Sequence, residues 1–135
     1  MTPEKLFAAA VIAVFVFVGL TALFIKKPKK LKVTSYTTRW REIQNTLKDK
    51  KLWPLAIIEA DSLLGEVLKK RKFKGANMGE RMVSAQKLFS DHDAVWTAHK
   101  LRNKLAHGEQ KTVKEDEVKK ALVALRQALK DLGAL

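Results

Sequence analysis

An uninterrupted apolar run near the N-terminus constrains this chain more than any other feature. The run, LFAAAVIAVFVFVGLTALFI, extends over 20 residues from Leu6 to Ile25. At 1.5 Å per residue, a helix of this length covers about 30 Å, the thickness of the hydrocarbon core of a bilayer. A cleaved signal peptide has a positive start, a shorter apolar run and a small-residue cleavage site, whereas here Glu4 accompanies Lys5. Residues 1–26 are therefore predicted to be a retained transmembrane anchor.

A cluster of lysines directly follows the apolar run. Its five members are Lys26, Lys27, Lys29, Lys30 and Lys32. Because positive charge beside a span stays in the cytoplasm, we expect the N-terminus to face outward and the rest to lie in the cytoplasm at the cell membrane. The same lysines are candidates for contact with anionic lipid or RNA, with a topology signal alone as the simpler interpretation. Residues 27–37 would form a short basic tether that keeps the following domain close to the membrane.

The remaining residues, 38–135, have a helical pattern throughout. Apolar residues recur at spacings of three and four, and no stretch alternates with the two-residue period of a half-buried strand. The sequence thus predicts an all-α protein, in which a single transmembrane helix precedes a bundle of about five helices. The chain has no cysteine, which excludes disulfides and thiolate metal sites. Its formal net charge of +13 favours polyanionic partners, namely RNA or an anionic membrane surface.

The segment Ser90–Gly108 contains all three histidines of the chain. Read as a helix, it has a core-facing stripe of apolar residues at spacings of four, three and four: Ala94, Ala98, Leu101 and Leu105. His99, Asn103 and His107 recur every four residues along a different row. The pattern predicts a helix with one side in the core of the bundle and a polar, titratable side turned elsewhere.

Within this segment, Arg102 and His107 are the residues best suited to chemistry on a phosphodiester. Histidine titrates at pH ~6.5, so it can take a proton from a ribose 2′-hydroxyl or return one to the leaving oxygen. Arginine stays charged and offers a planar donor fork to phosphate oxygens. The sequence lacks a Gly-rich phosphate loop, a nucleophile elbow and a zinc-type histidine pair. We therefore predict no metal and no cofactor.

The six residues from Arg102 to His107, RNKLAH, resemble the signature of the HEPN superfamily, an arginine and a polar residue followed by a histidine. Two phrases, WPLAIIEADSLL and DAVWTAHKLRNKLAHG, are similar to those of small bacterial HEPN-like proteins. The resemblance implies a helical homodimer whose two motifs face each other across a cleft, and a metal-independent endoribonuclease of toxin or defence type. The catalytic residues that it implies are Arg102, Asn103 and His107.

Helix geometry favours a dimer independently of the resemblance. On an ideal helix, Arg102 and His107 point about 140° apart. They can meet at one phosphate only if the helix unwinds near Gly108 or if two chains contribute. His99, Lys100 and Lys104 are weaker candidates for substrate contact, since they lie on the same helix.

Three alternatives to a nuclease remain open. In the first, the motif is structural: Arg102 pairs with an acidic residue such as Asp61, and His107 ends the helix, where a cation is favoured. In the second, the chain is a non-catalytic, membrane-tethered module that uses the same helix to bind RNA, a nucleotide or a protein. In the third, the chain is a lipid-surface scaffold that rests on the lysine cluster. All of these interpretations share the anchor and the helical bundle.

Overall fold

The computed structural model describes residues 2–24 and 30–135, without the side chains of residues 22–24. In these ranges the chain forms six α-helices: α1 (Pro3–Phe24), α2 (Val33–Thr46), α3 (Trp53–Lys70), α4 (Met78–Ala85), α5 (His92–Ala106) and α6 (Glu115–Asp131). Short 3₁₀ turns, Lys50–Leu52 and Gln86–Leu88, precede α3 and follow α4. The described residues include no strand. The predicted all-α fold, with an apolar N-terminal helix before a bundle of five, is confirmed.

The first helix, α1, is long and apolar enough to cross a membrane. Its 22 residues correspond to a length of about 33 Å. Large side chains along it, such as Phe7 and Phe15, are each 73% exposed, and apolar surface of this kind is stable in hydrocarbon rather than in water. Of the lysines that follow, Lys30 and Lys32 are exposed. The other members of the cluster, Lys26, Lys27 and Lys29, lie outside the described residues.

The second helix begins earlier than the pattern predicted. Residues 33–37, assigned to the tether from the sequence, belong to α2. The reason is that the buried stripe of α2 starts one turn before Trp40, at Tyr36, and continues to Ile43. Tyr36 is only 2% exposed, and the ammonium of Lys70 lies 5.5 Å from the centre of its ring. Packing against α3 therefore extends the helix toward the membrane anchor.

The third helix, α3, lies at the centre of the bundle and contacts α2, α4, α5 and α6. Pro54 fits its first turn, where no backbone N–H is needed, and the Trp53 indole N–H donates to the Leu47 carbonyl at 2.9 Å. Because neighbours surround it, α3 has eight buried residues: Ala56, Ile57, Ala60, Asp61, Leu63, Leu64, Val67 and Leu68. Seven of these are apolar, and the eighth, Asp61, is the exception on which the site described below depends.

The fifth helix is bounded by two local signals. Its N-cap is Asp91, whose Oδ1 accepts a hydrogen bond from the Ala94 N–H at 3.0 Å. The neighbouring Ser90 donates to Asp131 of α6 instead. Gly108, with φ of +74°, follows the C-cap His107 and ends the helix. Both ends of α5 are thus fixed, and with them the position of the motif.

Candidate active site around Asp61 and Arg102

The orientation of α5 differs from the one that its apolar spacing predicted. Its buried residues are Val95, Ala98 and His99, whereas Leu101 and Leu105 of the expected core stripe are only half-buried. The helix is therefore rotated so that part of the polar row faces α3. His99, 7% exposed, lies inside the bundle rather than on its surface, and its contact with substrate stays a prediction.

Asp61 of α3 explains this rotation. His99 Nδ1 lies 3.0 Å from Asp61 Oδ1 and 3.2 Å from Oδ2. Asp61 itself is 1% exposed, and a buried carboxylate costs several kcal/mol, roughly, unless it is paired and hydrogen-bonded. Since a carboxylate only accepts hydrogen bonds, Nδ1 of His99 carries the proton. The lone pair of the imidazole is then on Nε2, on the opposite side of the ring.

Arg102 binds the same carboxylate from the adjoining turn of α5. Its Nε lies 3.6 Å from Asp61 Oδ2, an ion-pair distance, and its Nη1 donates to Asn103 Oδ1 at 3.1 Å. The pairing of Arg102 with Asp61, foreseen as a structural use of the motif, is therefore present. The Arg102 side chain nevertheless remains 31% exposed. Asp61 thus lies beside the Nε edge of the guanidinium, while part of the Arg102 side chain is accessible at the surface.

His107 occupies a different environment from the other two residues. It is exposed, it forms the C-cap of α5, and its backbone N–H donates to the Asn103 carbonyl at 3.0 Å. Among the described residues, no hydrogen bond or ion pair joins the His107 side chain to Arg102. Within one chain, the arginine and the histidine of the motif are thus not brought together, as the angle between them on a helix led us to expect.

The two candidate lysines lie on another side of α5. Lys100 and Lys104 are exposed and border a groove of about 750 Å³ between α5 and α6. The floor of this groove is mostly apolar and includes Ala98, Ala121 and Ala124. His99 faces α3 instead, with its ring edge-on to Trp96 at a centroid distance of 5.9 Å. The structure therefore separates His99 from Lys100 and Lys104, and the three do not form one contact surface.

Asp61 is the residue of this site whose role the motif did not reveal. A signal for it exists in the sequence, because Asp61 falls four residues after Ile57 and three before Leu64, on the buried face of α3. A carboxylate at such a position requires a buried partner. The sequence offered Asp61 as a partner of Arg102, but the spacing cannot show its contact with His99, which lies 38 residues further along the chain.

The site thus consists of a buried carboxylate that binds one imidazole and one guanidinium, with a second imidazole exposed at the end of the same helix. No protein-family model matches this chain, and no curated protein or solved structure shows significant similarity to it.

Proposed function

We propose that the protein is a membrane-anchored, metal-independent endoribonuclease that acts as a homodimer on the cytoplasmic side of the cell membrane. Its substrate is RNA, whose own 2′-hydroxyl attacks the adjacent phosphorus. Arg102 stabilises the negative charge that develops on the phosphate oxygens, and Asn103 holds the guanidinium in place. His107 provides acid–base catalysis. The resemblance of residues 102–107 to the HEPN signature supports this assignment.

The observation that carries the proposal is the state of Arg102. A guanidinium fixed by Asp61 and Asn103, yet 31% exposed, has donors available for a phosphate without first having to be ordered. Donors that are oriented in advance stabilise a transition state better than mobile ones do. The net charge of +13 adds a general attraction for polyanions, which is expected to weaken as salt is raised.

The groove between α5 and α6 is the surface at which we expect a second copy of the chain to bind. Its rim includes Val123, which is 69% exposed, so apolar surface remains uncovered in a single chain. A second copy seated across this groove would bring the two copies of α5 to one interface.

RNA cleavage can be tested directly with the full chain in detergent micelles. Labelled RNA is incubated in EDTA with the native protein, Arg102→Lys and His107→Ala, and the products are resolved on a gel. We expect cleavage by the native protein and a loss of about 100-fold or more in each variant. Arg102→Lys is preferred to alanine because it keeps a cation beside Asp61 while removing the planar fork.

Lys111→Ala is the matched control, since Lys111 is an exposed residue in the loop after α5. It should cleave RNA at the native rate. Equal cleavage by the native protein and both motif variants, or cleavage that EDTA abolishes, would contradict the proposal. The dimer is tested in parallel by sedimentation of Val123→Glu in the same detergent: we expect a monomer, and an unchanged dimer would exclude the α5–α6 groove as the interface.

A non-catalytic binding module is the second candidate function. It is favoured by one observation, namely that His99 and Arg102 are both engaged with Asp61 and thereby contribute to the packing of α5 on α3. In this case the native chain would retain RNA on a filter in EDTA without cleaving it. Filter retention and the cleavage assay together therefore separate the two functions.

A further inference from the structure

The histidine that the fold brings to Arg102 is His99 rather than His107. Both Arg102 and His99 contact the single carboxylate of Asp61. Three positions apart on α5, they point only about 60° from each other, whereas Arg102 and His107 differ by about 140°. Asp61, His99 and Arg102 therefore form one cluster between α3 and α5, with the charged fork of Arg102 at its outer edge.

We propose that His99, oriented by Asp61, is the general base of the reaction, and that His107 of the second protomer acts as the general acid, because His99 and His107 of one chain lie about 12 Å apart along α5. This inference rests on the proposed endoribonuclease function and refines its site. It gives Asp61 the role of a positioning residue, which touches the imidazole and not the substrate.

The geometry of His99 fits a base. Asp61 accepts from Nδ1 at 3.0 Å, which leaves the unprotonated nitrogen, Nε2, directed away from the carboxylate. In the described part of the chain, Nε2 makes no hydrogen bond. Nε2 is also not completely enclosed by the protein. The side chain keeps 9% of its surface exposed. Nε2 is therefore free to accept a proton from a group that approaches beside Arg102.

The proposed step conserves all atoms and charges. The ribose 2′-oxygen forms a bond to phosphorus, and its proton passes to His99 Nε2. The bond from phosphorus to the 5′-oxygen breaks, and His107 delivers a proton to that oxygen. The products are a 2′,3′-cyclic phosphate and a 5′-hydroxyl end, and neither water, metal nor oxidant is consumed. A proton exchange with solvent then returns both histidines to their starting forms.

Two substrates with different leaving groups distinguish the base from the acid. A dinucleotide releases a poor alkoxide and needs both catalysts, whereas uridine 3′-(4-nitrophenyl phosphate) releases a stable phenolate and needs only the base. With the full chain in detergent, we expect His99→Gln to lower kcat by about 100-fold or more on both substrates. His107→Gln should lower kcat comparably on the dinucleotide but by less than about 10-fold on the aryl phosphate. Glutamine carries an N–H donor, but its amide corresponds to Nε2 rather than to Nδ1, so folding of the variant is checked by circular dichroism.

The outcomes separate the two levels of the proposal. If the native chain and His99→Gln cleave both substrates within about 3-fold of each other while Arg102→Lys is inactive, the endoribonuclease stands and the role of His99 is rejected. If the native chain cleaves neither substrate, the endoribonuclease itself is rejected, and the role of His99 with it.

A measurement on the native chain covers the case in which His99→Gln does not fold. The chain is labelled with ¹⁵N-histidine and titrated with an RNA oligonucleotide that carries 2′-fluorine in place of the nucleophile. We expect the Nε2 resonance of His99 to shift on binding, while that of exposed His92, at the start of α5, stays unchanged. A bound oligonucleotide that shifts only His107 would overturn the assignment of the base.

Discussion

At the level of single residues, Asp61 determines which side of α5 turns toward α3. Its carboxylate is 1% exposed and binds His99 and Arg102, which come from consecutive turns of α5. The polar contact outweighs the apolar stripe of that helix, where Leu101 stays half-buried. The same carboxylate that sets the packing also orients the candidate catalytic groups. Under the proposed function, stability and activity would therefore be coupled at this residue.

We accordingly expect Asp61→Ala to be among the most destabilising substitutions in the bundle. It leaves the buried imidazole of His99 without its acceptor and removes the anion beside Arg102, for which the cost is about 3–5 kcal/mol. Asp61→Asn should cost less, because the amide oxygen still accepts one hydrogen bond. The measurement is thermal unfolding of the full chain in detergent, followed by circular dichroism. Ser62→Ala, at the exposed neighbouring position, is the control, and a loss for Asp61→Ala no larger than for this control would contradict the expectation.

Asp131 makes the stability of the bundle depend on pH. Burial opposes its ionisation, but hydrogen bonds from the Ser90 N–H, the Gln127 amide and the Ser90 hydroxyl together hold the pKa of Asp131 below its ordinary value. A carboxyl group whose pKa is lower in the folded state stabilises the protein above the pKa of the unfolded chain, about 3.9. This stabilisation is complete at neutral pH and is lost as the pH falls through the folded value.

Ser90→Ala tests this dependence. Without the hydroxyl, one hydrogen bond to Asp131 is lost, and we expect a cost of about 0.5–1.5 kcal/mol at pH 7. The difference from the native protein should shrink as the pH is lowered through the acid range, because protonated Asp131 accepts less strongly. Melting curves at a series of pH values provide the measurement. If the stability difference between Ser90→Ala and the native protein were the same at pH 7 and in acid, Asp131 would not be acting as a charged acceptor.

At the level of secondary-structure elements, spacing predicted the helices well and their contacts poorly. The apolar periods and the breaks at Trp53-Pro54 and Gly108 reflect local backbone preferences, so they could be interpreted from neighbouring residues alone. The early start of α2 could not, because it follows from burial of Tyr36 against α3. Nor could the rotation of α5, which depends on a carboxylate 38 residues away. For the same reason, the sequence identified the motif residues, but it did not show that His99 and Arg102 contact the same carboxylate.

Gly108 fixes the end of α5 and hence the position of His107. Its φ of +74° is in the left-handed region, and a Cβ there would meet no atom within 4 Å. The cost of Gly108→Ala is therefore conformational rather than steric, and we expect it to be about 1 kcal/mol. Gly108→Asn should recover part of this, since asparagine tolerates the left-handed region better than alanine does.

The pair of variants at Gly108 is compared by thermal unfolding and by RNA cleavage. Alanine should be the less stable of the two, and the same order should hold for cleavage because His107 precedes the glycine. Equal stability of the two variants would mean that the chain leaves α5 in another conformation without cost.

At the level of the whole molecule, the bundle lies close to the end of the apolar helix. From the end of α1 at Phe24 to the start of α2 at Val33 there are nine residue steps, which reach no further than about 30 Å even when fully extended. Under the proposed function, a domain held at this distance would meet RNA only in a thin layer next to the membrane. Substrate selection would then depend on location as well as on the site, which suits a nuclease that must be confined.

The proposed orientation can be tested because the native chain contains no cysteine. Thr2→Cys, before the apolar helix, and Ser62→Cys, on α3, each introduce one exposed thiol. In spheroplasts treated with a membrane-impermeant maleimide, we expect Thr2→Cys to be labelled and Ser62→Cys to be labelled only after lysis. The opposite pattern would place the bundle outside, where it could not reach cytoplasmic RNA. Replacing Lys30 and Lys32 together with glutamate should raise the fraction of inverted chains, since in the proposed orientation these exposed lysines contribute to the charge that holds this side in the cytoplasm.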